Sequence, residues 1–145
     1  MPKATNICAN EAKEIKYLPN NTVLISVNRE HEPLFSLKLD RQNSRILTVK
    51  FSDITAKNID ERTGTVFSPI DDLTALKILN FININSGKDF IVHCAAGVSR
   101  SAAICLYLHL FHGYELKPRF WSLSNPNKYV LGQLIVSRHM ARWKD

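Results

Sequence analysis

Cys94 and Arg100 stand six positions apart around the small residues Ala95-Ala96-Gly97-Val98-Ser99, with His93 before the run and Ser101 after it. These types at this spacing fit one chemistry, the capture of a tetrahedral oxyanion such as phosphate beside a nucleophilic thiol. A short loop that leads into a helix gathers backbone N–H groups and the positive end of the helix dipole at one point. Arg100 adds a planar fork that matches two phosphate oxygens. The same field favours a thiolate at Cys94, the form of cysteine that attacks. A surface salt bridge is the plainer role for an arginine, but a cation at a helix N-terminus opposes the dipole unless an anion is held there. Gly97 suits a loop position that needs positive φ or a close backbone approach. Cys8 and Cys105 lie outside this pattern and are expected to be inert.

The elements on either side are those such a loop requires. Phe90-Ile91-Val92 reads as a buried strand, and Ser101–His112, free of Gly and Pro and mostly apolar, as a buried helix closed by Gly113. Upstream, Asn10–Leu18 reads as a short helix, Thr22–Val27 as a strand and Ile46–Phe51 as another. Residues 28–44 carry no clear pattern, and 52–67 read as a long loop. Ser68-Pro69 followed by acids predicts a helix start, with the helix running to about Ile84. Asn125-Pro126 opens a last helix that reaches about Trp143. Strands alternating with helices predict a single α/β domain over 1–145, with a central, mostly parallel sheet flanked by helices. The site then belongs at the carboxyl ends of the strands, where the loops after 90–93 and 46–51 both emerge.

His-Cys-x-x-x-x-x-Arg-Ser resembles the phosphate-binding loop of the cysteine-dependent protein tyrosine phosphatases, and Gly97-Val98-Ser99-Arg100-Ser101 looks most like its small dual-specificity branch. Pro126-Asn127-x-x-Val130-x-x-Gln133-Leu134 is similar to the segment that opens the last helix of that branch, with Val130 where a Phe is usual. The Gly113–Ser124 connection is short for the family. The resemblance implies hydrolysis of phosphomonoesters through a cysteinyl-phosphate, with no metal or other cofactor. It implies that residues 95–100 bind the substrate phosphate, that Ser101 bonds the Cys94 sulfur and helps it leave, and that His93 and Asn127 support the loop. It also implies an aspartate acid on a loop after a neighbouring strand. Asp53, two residues past Phe51, is taken for that acid, with Asp60 and Glu61 as alternatives on the same loop. Asp71 and Asp72 are accounted for as first-turn helix acids.

The expected partner is a phosphorylated protein. An RNA 5′-phosphatase or a lipid phosphatase on the same scaffold is the first alternative, and a catalytically silent phosphate-binding module the second. The net charge of +6 weights the last third of the chain, where Lys or Arg at 117, 119, 128, 138, 142 and 144 face acids only at 115 and 145. That fits an anionic partner or simply a solvated helix face. Basic and aromatic residues are not interleaved as in nucleic-acid binders. His109 and His112 have no third ligand at metal-site spacing. Trp121 and Trp143 read as core or interface aromatics. No apolar run reaches membrane-span length, and the first residues lack a signal-peptide core. With three cysteines in no framework spacing, a cytoplasmic monomer is expected.

Overall fold

The computed structural model describes residues 1–55 and 57–143, the side chains of Arg142 and Trp143 excepted. The chain forms β1 (Lys3–Cys8), α1 (Ala9–Lys13), β2 (Thr22–Asn28), β3 (Ile46–Lys50), β4 (Asn58–Ile59), β5 (Val66–Phe67), α2 (Asp72–Ile84), β6 (Asp89–Cys94), α3 (Arg100–His112), β7 (Glu115–Leu116), α4 (Phe120–Leu123) and α5 (Lys128–Trp143). Five strands make one parallel sheet in the order β3-β2-β6-β1-β7, and β4 and β5 pair as a small antiparallel hairpin. This is the α/β architecture with a parallel central sheet that the alternating pattern predicts.

All seven residues of β2 are buried, as expected for a strand covered on both faces. Val23, Ile25, Val27, Phe90 and Val92 face the main core with α2, α3 and α5. Leu24 and Ile91 point the other way, into a smaller cluster closed by Ile15, Leu18, Leu37 and Leu39. The 28–44 segment therefore roofs the second face of the sheet. The register pairs Ser26 with His93, which puts His93 on that second face while Cys94 joins the main core.

Several features differ from the sequence reading. The N-terminal residues form β1, which lies between β6 and β7. The first helix ends at Lys13, because Leu18 is drawn against the sheet and five residues are too few to propagate. The 52–67 loop contains the β4–β5 hairpin. Helix α2 is capped by Asp71, whose carboxylate accepts the Thr74 N–H at 2.8 Å. Ser68 is not the cap; its carbonyl accepts from Ser52 N–H and its own N–H goes to Glu30. Trp121 is 64 % exposed, edge-on to His109 and Phe120, so it is no core residue; the expectation for Trp143 lies outside the described side chains. Among the described residues no helix is long and apolar enough to cross a membrane.

Candidate active site

Strand β6 ends in Cys94, and residues 95–99 loop into α3, so the cysteine and the first turn of that helix come together. The Cys94 sulfur is buried, with the Gly97 N–H donating to it at 3.2 Å and Ser101 Oγ within hydrogen-bond distance at 3.2 Å. The loop is held from outside by its carbonyls. Ala95 O accepts from Ala9 N–H, Gly97 O from the Asn6 side chain at 2.7 Å, Val98 O from Asn125 N–H and Ser99 O from Asn127 N–H. Gly97 is required on two counts. Its φ is +76°, and a Cβ there would sit 2.4 Å from Ile7 C and 2.5 Å from Cys8 N. The loop is pressed against the end of β1.

Arg100 opens α3 and is 4 % exposed. One terminal nitrogen, Nη1, donates to Phe51 O at 2.8 Å and Asn28 O at 3.4 Å, at the ends of β3 and β2. Its Nε has no hydrogen-bond partner, and among the described residues no carboxylate pairs with the guanidinium. A buried, unpaired N–H on a buried cation loses about 1–3 kcal/mol or more of solvation with no return. An oxyanion seated in the loop would remove that penalty.

Asp53 reaches the same loop from the far side of β2. Its Oδ1 accepts from Ser99 Oγ and from Asn127 Nδ2, each at 2.8 Å. Asn127 thus links the aspartate to the loop, since its own N–H holds Ser99 O. Asp60 and Glu61 are not brought there. Asp60 builds the hairpin turn, bonding Thr65 and Gly64 through its backbone and Arg62 N–H through its carboxylate. Asp72 accepts from Gln133 across α5.

His93 lies fully buried beneath the loop, with Nε2 2.6 Å from Ser26 Oγ. That hydroxyl also takes donors from Arg41 Nη1 at 2.9 Å and Asn28 Nδ2 at 3.0 Å. The His93 ring is neutral near pH 7. Burial pushes its pKa down to about 4, and the nearby Arg41 and Arg100 charges act in the same direction. Because the folded value is depressed, the unfolded chain takes up this proton first, near pH 6.5. The stabilisation is complete above pH 6.5 and is lost as pH falls toward 4. It amounts to about 3 kcal/mol at most, at 1.36 kcal/mol per pH unit. Denaturant titrations between pH 7.5 and 4.5 are expected to show this loss, and His93→Asn to flatten the slope. An equal slope in the variant would assign the loss to other groups.

Several of these supports are silent in the sequence. Asn28 carries Arg100 on its carbonyl and Ser26 and Val49 on its amide. Arg41 also donates to Thr48 Oγ1 and the Phe35 carbonyl. Glu30 accepts Ser68 N–H at 2.6 Å and Ser52 Oγ–H at 3.0 Å, fixing the residue just before Asp53. No local signal marks them, because most of their partners, backbone and side chain alike, come together only in the folded sheet. Cys105 is fully buried and burial raises its thiol pKa, as an inert cysteine should show. Cys8 is half-buried at the end of β1.

No protein-family model matches the chain. It is 30% identical over 124 residues to dual specificity protein phosphatase 18 of Bos taurus, covering 80% of this chain and 62% of that protein. It is 37% identical over 83 residues to human dual specificity protein phosphatase 21, covering 52% of this chain and 40% of that one. The chain thus spans less than two thirds of the curated relatives it matches. Among solved structures, human DUSP28 aligns over 100% of this chain and 97% of its own with a TM-score of 0.53 at 20% identity, a likeness of fold.

Proposed function

Because the chain belongs to the small dual-specificity-phosphatase-like branch of the cysteine-dependent protein tyrosine phosphatases, we propose that it hydrolyses phosphomonoesters of protein substrates through a cysteinyl-phosphate. The observation that carries this reading is the orphaned Nε of buried Arg100 at the end of the loop whose Gly97 N–H donates to the buried Cys94 sulfur. Cys94 attacks phosphorus as the thiolate. The loop N–H groups and the Nε edge of Arg100 hold the equatorial oxygens and stabilise the charge that spreads over them in the transition state. Asp53 protonates the departing oxygen and then takes a proton from the water that cleaves the intermediate. Ser101 donates to the sulfur as it leaves. Residues 95–99 contribute backbone, not side chains, which suits their small size.

Phosphotyrosine is the preferred substrate, with some phosphoserine and phosphothreonine admitted, because phenoxide is the better leaving group. Turnover of matched phosphotyrosyl, phosphoseryl, phosphothreonyl and 5′-phosphorylated RNA substrates tests the proposal. A strong RNA preference would move the function to the alternative substrate class. Binding of all four without hydrolysis of a small aryl phosphate would make the chain a phosphate-binding module.

Arg100→Lys separates binding from catalysis. An ammonium keeps the charge but not the fork, and Phe51 O and Asn28 O lose their donor geometry. The expected result is a kcat lower by about 10²-fold together with a raised KM, the scale of losing one transition-state donor. A change in KM alone would limit Arg100 to ground-state binding.

A further inference from the structure

The sheet order places the catalytic loop between two flanks. Asp53 follows β3 at one edge, and the chain leaving β7 runs past the other. On that second flank a pocket of about 180 Å³ opens against the outer wall of the loop, at Gly97 and Val98, and is closed by Lys117, Arg119 and Leu123. Its floor is stiff. The Asn6 amide bonds both Gly97 O at 2.7 Å and Ser124 Oγ at 3.0 Å, and Lys117 Nζ donates to Asn6 O at 2.6 Å. Lys117 is thus held half-buried at the pocket with two N–H groups still to offer. Arg119 is exposed, and among the described residues neither cation has a carboxylate partner at ion-pair distance. Glu11 also lines the space, with one carboxylate oxygen, Oε1, accepting from the Cys8 N–H and thiol at the start of α1, so the pocket's two cations stand against one acid. Val98 and Leu123, 37 % and 62 % exposed, add an apolar wall that suits the methylene stem of an acidic side chain.

We propose that this pocket is a specificity site that receives an acidic side chain of the phosphorylated protein substrate, next to the residue being dephosphorylated. The proposal rests on the phosphatase reading above. Lys117 supplies a fixed point charge and Arg119 a mobile fork, both of which favour a carboxylate. Because the pocket lies on one flank only, the preference is directional along the peptide: acid on one side of the phosphoresidue is rewarded, and acid on the side facing Asp53 is not. Contacts of this kind, remote from the reacting atoms, raise kcat/KM for the right sequence while leaving the chemistry to the loop.

The test is a set of phosphotyrosyl peptides with Glu or Ala at each of the three positions on either side. The expected result is about a tenfold higher kcat/KM for Glu over Ala at one or two positions on a single side, a difference of about 1.4 kcal/mol. In Arg119→Glu the Glu/Ala ratio at those positions falls to one or below, and a Lys peptide gains. Lys117→Met lowers the same ratio. The ratio compares two peptides on one enzyme, so a general loss of activity cancels. Equal rates across the wild-type set, a preference spread over both sides, or a ratio unmoved by Arg119→Glu would overturn the proposal. So would a 5′-phosphorylated oligonucleotide that outcompetes every peptide in an Arg119-dependent way. Should the wild type fail to turn over even an aryl phosphate, the phosphatase reading fails separately. The Glu/Ala ratio is then read from Kd on Cys94→Ser protein, where no dependence on Arg119 sinks the pocket as well.

Discussion

Cys94→Ser is expected to lower kcat by at least about 10⁴-fold while leaving the affinity for a phosphotyrosyl peptide or inorganic phosphate within a few fold of wild type. The change replaces one atom. The donors around it remain: Gly97 N–H and Ser101 Oγ still converge on the position, Arg100 still projects its unpaired Nε, and the loop is still tied down by Asn6, Ala9, Asn125 and Asn127. What is lost is the nucleophile, since a serine hydroxyl here has no base to take its proton: His93 faces Ser26 on the opposite side of the sheet. A covalent mechanism therefore fails at its first step while the anion site survives. Single-turnover assays with quenching would show the phosphocysteine in the wild type and nothing in the variant. A variant rate within about tenfold of wild type would sink the covalent mechanism and leave Cys94 as a lining residue.

The nine residues from His93 to Ser101 were legible because their meaning is local: strand, loop and helix are contiguous, and the small residues, the glycine and the helix-opening arginine constrain one another. The helix ending at Gly113 and the parallel sheet were readable for the same reason. Strand β1 was not. Lys3-Ala4-Thr5-Asn6-Ile7-Cys8 has little apolar weight of its own and becomes a strand by pairing on both sides, Ala4 with Phe90 and with Leu116. Segment 28–44 was opaque because Glu30, Arg41 and Phe35 act on backbone and side-chain atoms that arrive from Ser68, Ser26 and Asn28 only after folding. The start of α2 was read at Ser68, but the Ser68 carbonyl is taken by Ser52 N–H and Asp71, read as a first-turn acid, caps the helix instead. Between Asp53 and Asp60 a signal was available. Asp side chains form turns by accepting from the backbone N–H two residues on, and Asp60 does this with Arg62 while its carbonyl closes the turn on Gly64 at 2.7 Å. That leaves Asp53 as the aspartate of this loop with no local structural role.

Asp53→Asn tests that assignment and is expected to have the second-largest effect, a fall of about 10²–10³-fold in kcat for an alkyl phosphate but about tenfold or less for an aryl phosphate with an acidic phenol. The asymmetry follows from what the acid does: an alkoxide cannot leave without a proton, whereas a nitrophenolate nearly can. Asparagine is close to isosteric and keeps an acceptor for Ser99 Oγ and Asn127 Nδ2, so the loop stays docked and KM moves little. Asn127→Ala is the companion. It leaves the acid in place but removes one of its two anchors and the side-chain acceptor for Tyr129 and Val130 N–H. An intermediate leaving-group dependence is expected there. If Asp60→Asn rather than Asp53→Asn shows the steep dependence, the hairpin must swing over the loop in the substrate complex, and the Ser99–Asp53–Asn127 contact is a latch of the resting enzyme, not its catalytic geometry.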